Sequence, residues 1–121
     1  MCYIHIMKVQ SSKKKTFRML LPVRDFMRNQ TGEIKKELNN IIWRLEHTGT
    51  LEMPYGEKVD KELFVIRVIR AGNIRIFYIY GKSDIIWGIH AYVKKTVKIP
   101  NSELREARRI VKLLMKEGAL E

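Results

Sequence analysis

Three side chains near the end of one apolar run carry groups that can act on a phosphodiester. The run covers residues 85–96 and includes His90, Tyr92 and Lys94. Successive side chains of a β-strand alternate between its two faces, so these three are expected on one face, with an imidazole, a phenol and an ammonium in register. Such groups can bind a phosphate and transfer protons beside it.

The same alternation predicts that the other side of this strand faces the core. That side would carry Ile85, Trp87, Ile89, Ala91 and Val93. A purely structural interpretation is also open, because a buried strand commonly ends in lysines where the chain emerges into water. His90 would then be a hydrogen-bonded core histidine. The cations of the neighbouring runs bear on the choice between the two.

Those neighbouring runs contribute Arg67 and Arg75, and Lys95 follows Lys94 at the end of the third. Arg67 interrupts an apolar run, and burying an unpaired charge is costly. A structural ion pair would also explain Arg67, but Asp84 is the only acidic residue in these runs and their turns. A sheet face that receives a phosphate backbone explains the cations together.

The composition also favours a polyanionic partner. Lysine and arginine number 24 against 13 acidic residues, which gives a net charge of +11 and a pI near 10.0. Such a field attracts nucleic acid first, although a basic surface without function is the alternative. Binding to an anionic membrane would need an amphipathic helix with a free apolar face, and the apolar faces here are expected in a core. We therefore expect no membrane partner.

Neither a metal nor a cofactor is expected. The single cysteine, Cys2, excludes an internal disulfide and a thiolate zinc cluster. The three histidines fall in separate predicted elements, and acidic residues are sparse in the strand-rich part of the chain.

Two short helices are predicted before the strands. Pro22 suits the first turn of a helix that ends near Asn29, and residues 33–47 carry apolar side chains at helical spacing. Gly49 is expected to end this second helix. The two would form a helical hairpin with one apolar side to bury. Residues 16–21 are predicted to be an edge strand or a lead-in to this hairpin.

The rest of the chain predicts a sheet and a final helix. Residues 63–70, 73–80 and 84–94 are rich in strand-forming types and are separated by turn-length segments, so they form an antiparallel meander. Residues 50–62 are predicted to be a loop. A helix over 103–117, capped by Asn101 or Ser102, places its apolar stripe on one side. That stripe consists of Leu104, Ala107, Ile110, Val111 and Leu114.

These elements predict a single α+β domain over residues 1–121. Its two layers would be an N-terminal helical hairpin and a curved antiparallel sheet, with a C-terminal helix added. Residues 1–15 are expected to be partly disordered or an edge strand. The protein is expected to be cytoplasmic, because no run is apolar enough for a transmembrane helix and the opening residues are too few for a signal peptide core.

Four segments of the chain carry a recognisable pattern. They are Pro-Val-Arg-Asp-Phe at 22–26, Leu-Phe-Val-Ile-Arg at 63–67, Ile-Arg-Ile-Phe-Tyr at 74–78, and His-Ala-Tyr-Val-Lys-Lys-Thr at 90–96, which runs on to Lys-Ile-Pro at 98–100 and Glu103. Over residues 22–116 the chain resembles the HigB-like, phage-derived branch of the RelE/ParE toxin superfamily. It departs from that branch where Val65 replaces an acidic residue, Tyr92 a phenylalanine and Ile99 a threonine.

The resemblance implies the toxin of a type II toxin-antitoxin system. Such toxins are typically endoribonucleases that cut mRNA on the ribosome and are silenced by a cognate antitoxin, expected here to be a small helix-turn-helix protein. The candidate catalytic residues are Arg67, Arg75, His90, Lys94 and Lys95, and the candidate RNA-binding residues are Tyr92, Arg105, Arg108 and Arg109.

The roles of these residues follow from the chemistry of RNA cleavage. Arg67, Arg75 and Lys95 would bind the phosphate and stabilise its charge. Either His90 or Lys94 would accept the proton of the 2′-hydroxyl, with the other, or Tyr92, as donor or as a stacking platform. Two alternatives stay open, namely a ParE-like inhibitor of DNA gyrase and a non-catalytic RNA-binding protein.

Overall fold

The computed structural model describes residues 14–118 as an α+β fold with five strands and three helices. The predictions for residues 1–13, a strand or a disordered segment, and for Cys2 lie outside the described residues. The elements are β1 Thr16–Met19, α1 Leu21–Arg28, α2 Gly32–Thr48, β2 Gly56–Lys58, β3 Phe64–Val68, β4 Ile74–Tyr80, β5 Ile85–Val93 and α3 Asn101–Lys116. None of these three helices is both long and apolar enough to cross a lipid bilayer.

Local sequence signals set the ends of α1 and α2, and both predicted helices are confirmed. Pro22 lies in the first turn of α1, where its missing N–H costs no hydrogen bond. Thr31 caps α2, since its hydroxyl accepts a hydrogen bond from the Ile34 N–H at 3.2 Å. Gly49 ends α2 with a φ of 86°, a conformation that glycine adopts without steric cost.

The predicted antiparallel meander of β3, β4 and β5 is confirmed, but the sheet is larger and mixed. Its strand order is β1-β5-β4-β3-β2, with β1 parallel to β5. The prediction of a purely antiparallel sheet is therefore wrong. The prediction that residues 50–62 are entirely loop is also wrong, because β2 lies within them and pairs with β3. Three residues beside a glycine and a proline are too few to show a strand period.

One irregularity changes which side chains share a face of β5. Phe77 pairs with His90 and the next residue, Tyr78, pairs with Gly88, so Ile89 is an extra residue in β5. This β-bulge places Trp87 and Ile89 on the same face as His90 and Tyr92. The predicted core face is therefore wrong, because a regular alternation was assumed along the whole strand.

Both faces of the sheet are covered by apolar side chains. One cluster, which we call the hairpin cluster, joins side chains of α1 and α2 to one sheet face; it includes Val23, Leu38, Leu45, Ile66, Ile76, Tyr78 and Ile86. The other, the α3 cluster, joins Ala107 and the rest of the predicted stripe to the opposite face; it includes Leu63, Val65, Phe77, Ile79, Ile89 and Tyr92. The two-layer prediction is corrected accordingly, since helical side chains lie on both faces.

The start of α3 also differs from the prediction. The helix begins at Asn101, two residues earlier than expected, and its N-cap is Pro100. No side chain makes a capping hydrogen bond there, so the expected cap by Asn101 or Ser102 is wrong. The earlier start places Glu103 in the first turn, where a carboxylate is favoured by the helix dipole.

A single carboxylate of α2 fixes the turn between β3 and β4. Glu37 accepts hydrogen bonds from the N–H groups of Ile69 at 2.9 Å, Arg70 at 3.1 Å and Ala71 at 2.7 Å. Burial raises the pKa of Glu37, but these three N–H donors outweigh it and hold the pKa below its usual range. The turn is thereby tied to α2 by a charge-assisted contact.

Replacing Glu37 with glutamine should lower stability in a pH-dependent manner. A carboxylate whose pKa is lowered by folding stabilises the folded state above its unfolded pKa, and this contribution is lost as the pH falls through the lower, folded pKa. We expect Glu37→Gln to cost about 1 to 2 kcal/mol of unfolding free energy near pH 7. The difference from the parent protein should shrink below about pH 4.

Urea denaturation across this pH range provides the measurement. Glu52→Gln is the matched control, because the exposed Glu52 side chain makes no hydrogen bond to another described residue. A Glu37→Gln deficit that is equally large at pH 3 and pH 7 would contradict the assigned role of the ionised carboxylate.

Candidate functional site

The registers of three strands bring the predicted cations of the sheet together. Arg67 of β3 lies directly opposite Arg75 of β4, and Arg75 lies opposite Tyr92 of β5. Directly opposite residues share a sheet face, with Cβ atoms about 5 Å apart. All three therefore lie on the face of the α3 cluster, where Tyr92 is packed. We call this set the arginine row.

The two arginines of the arginine row lie opposite each other on adjacent strands, and neither has a counter-ion among the described residues. Arg75 is 5% exposed, and its Nη1 donates to the Ile74 carbonyl at 3.1 Å and to Asn73 Oδ1 at 3.4 Å. Arg67 Nη1 donates to the Pro54 carbonyl at 3.3 Å. No carboxylate among residues 14–118 forms an ion pair with either arginine. An ion pair within the described chain therefore does not explain Arg67.

The electrostatics of Arg75 reflect this arrangement. Burial lowers the pKa of Arg75, and the charge of Arg67 lowers it further. Glu57 acts in the opposite direction from β2, where it lies opposite Val65. This acid is too far from Arg75 for an ion pair, so the two guanidinium groups retain donors for an oxyanion.

His90 lies beside the arginine row and is held in a fixed orientation. Its ring packs against those of Phe77 and Tyr92, at centroid distances of 6.0 and 6.4 Å. Its Nε2 lies 2.6 Å from Glu103 Oε1 in the first turn of α3. An ionised carboxylate only accepts hydrogen bonds, so Nε2 carries the proton and Nδ1 is the basic nitrogen of the neutral ring.

Tyr92 occupies the end of the arginine row and is 5% exposed. Its hydroxyl is buried and makes no hydrogen bond within the described part of the chain. Burial raises the pKa of Tyr92, while the charge of Arg75 lowers it. This buried ring packs against both His90 and Phe77 and is not open to an RNA base, so the predicted stacking role does not fit this conformation.

The two lysines follow β5 directly. The backbone of Lys94 continues the pairing with Asn73, since the Lys94 N–H donates to the Asn73 carbonyl at 2.7 Å and Asn73 Nδ2 donates to the Lys94 carbonyl at 2.7 Å. The strand alternation, extended by one residue, places Lys94 on the face of the arginine row. Neither the Lys94 nor the Lys95 ammonium is bonded to a described residue.

The arginines of α3 stand apart from this group. Arg108 Nε is 2.7 Å from Asp60 Oδ2, and Arg109 Nη2 is 2.7 Å from Glu106 Oε2. Both are exposed, surface ion pairs, and Arg105 is exposed without one among the described residues. The structure brings Arg67, Arg75, His90 and Tyr92 together with Lys94 following, and it does not add the three helix arginines to them.

Two acids of this region escaped the sequence prediction. Glu103 belongs to the pattern that follows the fourth segment, but its contact with His90 depends on where α3 lies relative to β5, which the sequence does not give. Glu57 could not be recognised, because β2 itself was not predicted. Among residues 14–118, no three histidine, cysteine or acidic side chains are grouped closely enough to hold a metal ion.

Because no described carboxylate pairs with the buried Arg75, we expect this arginine to lower the unfolding free energy of the protein. Arg75→Met removes a buried charge and its repulsion with Arg67, and we expect it to raise the unfolding free energy by about 1 to 2 kcal/mol in urea denaturation. Arg28→Met is the control, since Arg28 is exposed and paired with Asp25 at 3.1 Å; its effect should stay within about 0.5 kcal/mol. A loss of stability in Arg75→Met would show that the folded chain compensates this guanidinium.

The comparison with known protein families assigns this chain to one of them. No curated protein matches the chain. A family model described as phage-derived protein Gp49-like (DUF891) matches residues 25–112. The matched segment begins in α1 and ends in α3, so it includes the arginine row, His90, Glu103 and both lysines. The chain therefore belongs to the Gp49-like family of phage-derived proteins.

Proposed function

We propose that this protein is the toxin of a type II toxin-antitoxin system and acts as a ribosome-dependent endoribonuclease with a RelE-like fold. The family assignment supports a phage-derived context for such a system. The partners would be mRNA on the ribosome and a cognate antitoxin, a small helix-turn-helix protein.

One observation carries the proposal. Arg67 and Arg75 face each other across adjacent strands, one of them 5% exposed, and neither has a carboxylate partner within the described chain. Like charges in direct opposition are unfavourable unless an anion joins them. A phosphodiester supplies that anion with oxygens for both guanidinium groups. The field of +11 draws a polyanion to this face.

The groups beside the arginine row suit cleavage by the adjacent 2′-hydroxyl. His90 Nδ1 takes the hydroxyl proton, and Glu103 stabilises the imidazolium that forms, as an orienting carboxylate does for a catalytic histidine. The 2′-oxygen bonds to phosphorus, and the 5′-oxygen bond breaks. The products are a 2′,3′-cyclic phosphate and a 5′-hydroxyl, so no water is consumed in this step.

The remaining cations stabilise charge in that reaction. The arginine row contacts the non-bridging oxygens of the phosphorane, where negative charge accumulates. Lys94 lies beyond Tyr92 on the same face and donates a proton to the departing 5′-oxygen, which gives the 5′-hydroxyl. Lys95 is exposed and contacts a neighbouring phosphate.

Lys94→Ala tests the catalytic role of the strand end. Its backbone pairing with Asn73 does not depend on the side chain, so the fold should persist. We expect cleavage of ribosome-bound mRNA to fall about a hundredfold or more, the usual scale for one acid–base or charge-stabilising group. Binding to ribosomes should fall only modestly, because the substitution removes one cation among many that can bind phosphates.

Lys82→Ala is the matched control for this measurement. Lys82 is exposed in the turn before β5, at the opposite end of the strand, and the substitution removes the same charge. Parental cleavage by Lys94→Ala would remove Lys94 from the mechanism.

Expression in a bacterial host provides the cellular test. We expect the intact protein to arrest growth, co-expression of the neighbouring gene to relieve the arrest, and Lys94→Ala to be tolerated. Harmless accumulation of the folded parental protein would overturn the toxin assignment.

Three assays with purified protein separate the candidate functions. Cleavage of mRNA only on ribosomes supports the proposal. DNA breakage that depends on gyrase, without RNA cleavage, identifies a ParE-like inhibitor. Binding of RNA without either activity identifies a non-catalytic RNA-binding protein.

A further inference from the structure

A second group of cations lies around an open cavity at the β1 edge of the sheet. The cavity has a volume of about 400 Å³ and is lined by Arg18, Met19, Arg24 and Trp87. Arg18 is in β1, Arg24 is in α1, and Trp87 is in β5. We call this group the β1-edge cavity. No acidic residue lines it among the described residues.

The β1-edge cavity lies at the edge of the sheet and joins side chains of both faces: Met19 packs with the cluster of α1 and α2, whereas Arg18 and Trp87 lie on the face of the candidate active site. Arg18 pairs with Trp87 in the parallel register, and Trp87 pairs with Ile79 of β4. Ile79 and Trp87 belong to the α3 cluster, together with Tyr92. From Trp87 to Lys94 the chain spans about 20 Å, given about 3.3 Å per strand residue.

The two arginines of the β1-edge cavity make no ion pair with any described residue. Arg18 and Arg24 are both exposed, and neither is bonded to any described residue. By contrast, Arg28 of the same helix pairs with Asp25, and Arg108 and Arg109 of α3 each pair with an acid. Asp25 follows Arg24 in the chain but is engaged by Arg28.

The combination of side chains identifies the ligand class. Two free guanidinium groups can hold a phosphate, and a partly exposed indole offers a π-face on which any nucleobase can stack. We propose that the β1-edge cavity binds a nucleotide of the RNA strand that flanks the cleavage site. This inference rests on the proposed function. Recognition is by charge and stacking, so it is tolerant of base identity.

An acidic protein segment is the competing ligand. Its carboxylates would use Arg18 and Arg24, but they would leave the indole of Trp87 without a planar partner. A nucleotide uses both the cations and the ring, so the observed set of lining residues favours RNA.

Fluorescence provides a direct test, because the chain has only two tryptophans. In a Trp43→Phe protein, Trp87 is the sole indole. Stacking of a base on Trp87 should quench its emission when a short single-stranded RNA is added. Trp43 lies on α2, is 61% exposed and stacks on His47, so phenylalanine can replace it without disturbing the core.

Charge-removing variants in this background test the role of the arginines. We expect Arg18→Ala/Arg24→Ala to weaken RNA binding about tenfold or more and to reduce the quench. The slope of log affinity against log salt should flatten by about 0.7 for each phosphate that the variant no longer neutralises. Lys35→Ala/Lys36→Ala removes the same charge from exposed positions of α2 and should leave the quench unchanged.

The outcomes separate this inference from the proposed function. Suppose that the protein cleaves mRNA on ribosomes but RNA does not quench Trp87, or quenches it equally in Arg18→Ala/Arg24→Ala. Either result overturns RNA binding at the β1-edge cavity and leaves the proposed function intact. A quench that depends on the arginines, in a protein that cuts no RNA, supports RNA binding at the cavity and overturns the nuclease. Loss of antitoxin binding in the arginine variant, with RNA binding intact, identifies an acidic protein segment and overturns the inference.

Discussion

The opposition of Arg67 and Arg75 is the constraint around which the rest of the structure is arranged. Two like charges on adjacent strands repel, and Arg75 is buried, so the pair is unfavourable in the folded chain alone. The surrounding elements hold this geometry in place. Glu37 fixes the turn that sets the β3–β4 register. Glu57 of β2 raises the pKa of Arg75 and so partly offsets the effect of Arg67 on it. The repulsion between these two arginines therefore destabilises the folded chain, and a bound anion would reduce it.

The positions of the acidic residues near the site determine which of its cationic groups they neutralise. Val65, where the resemblance to the toxin superfamily led us to expect an acid, is fully buried in the α3 cluster. The acid of this region comes instead from Glu57, directly opposite Val65 on the next strand. Glu103 is committed to His90 at 2.6 Å and is not available to neutralise an arginine. This division leaves the guanidinium groups free while it orients the imidazole.

The sequence predicted the elements of this fold better than their pairing. Helices α1 and α2 and the three meander strands have their own periodicity and turn residues, so their positions could be inferred locally. The parallel pairing of β1 with β5 and the short β2 depend on contacts between distant segments, for which one sequence gives no signal. Arg67, Arg75, His90 and Lys94 were identified from their types, whereas the role of Glu103 required the actual course of α3.

The bulge at Ile89 has the largest consequence for the surface of the protein. With regular alternation, Trp87 and His90 would lie on opposite faces of β5, and the cations of the β1 edge would be separated from the arginine row by the whole sheet. The extra residue Ile89 shifts the alternation of side chains by one, so Trp87 and His90 lie on the same face. Arg18, which lies opposite Trp87, is then on the same face as the arginine row, at the other end of β5. An extended polyanion can contact both ends without bending around an edge, whereas a small anion would need only one of them.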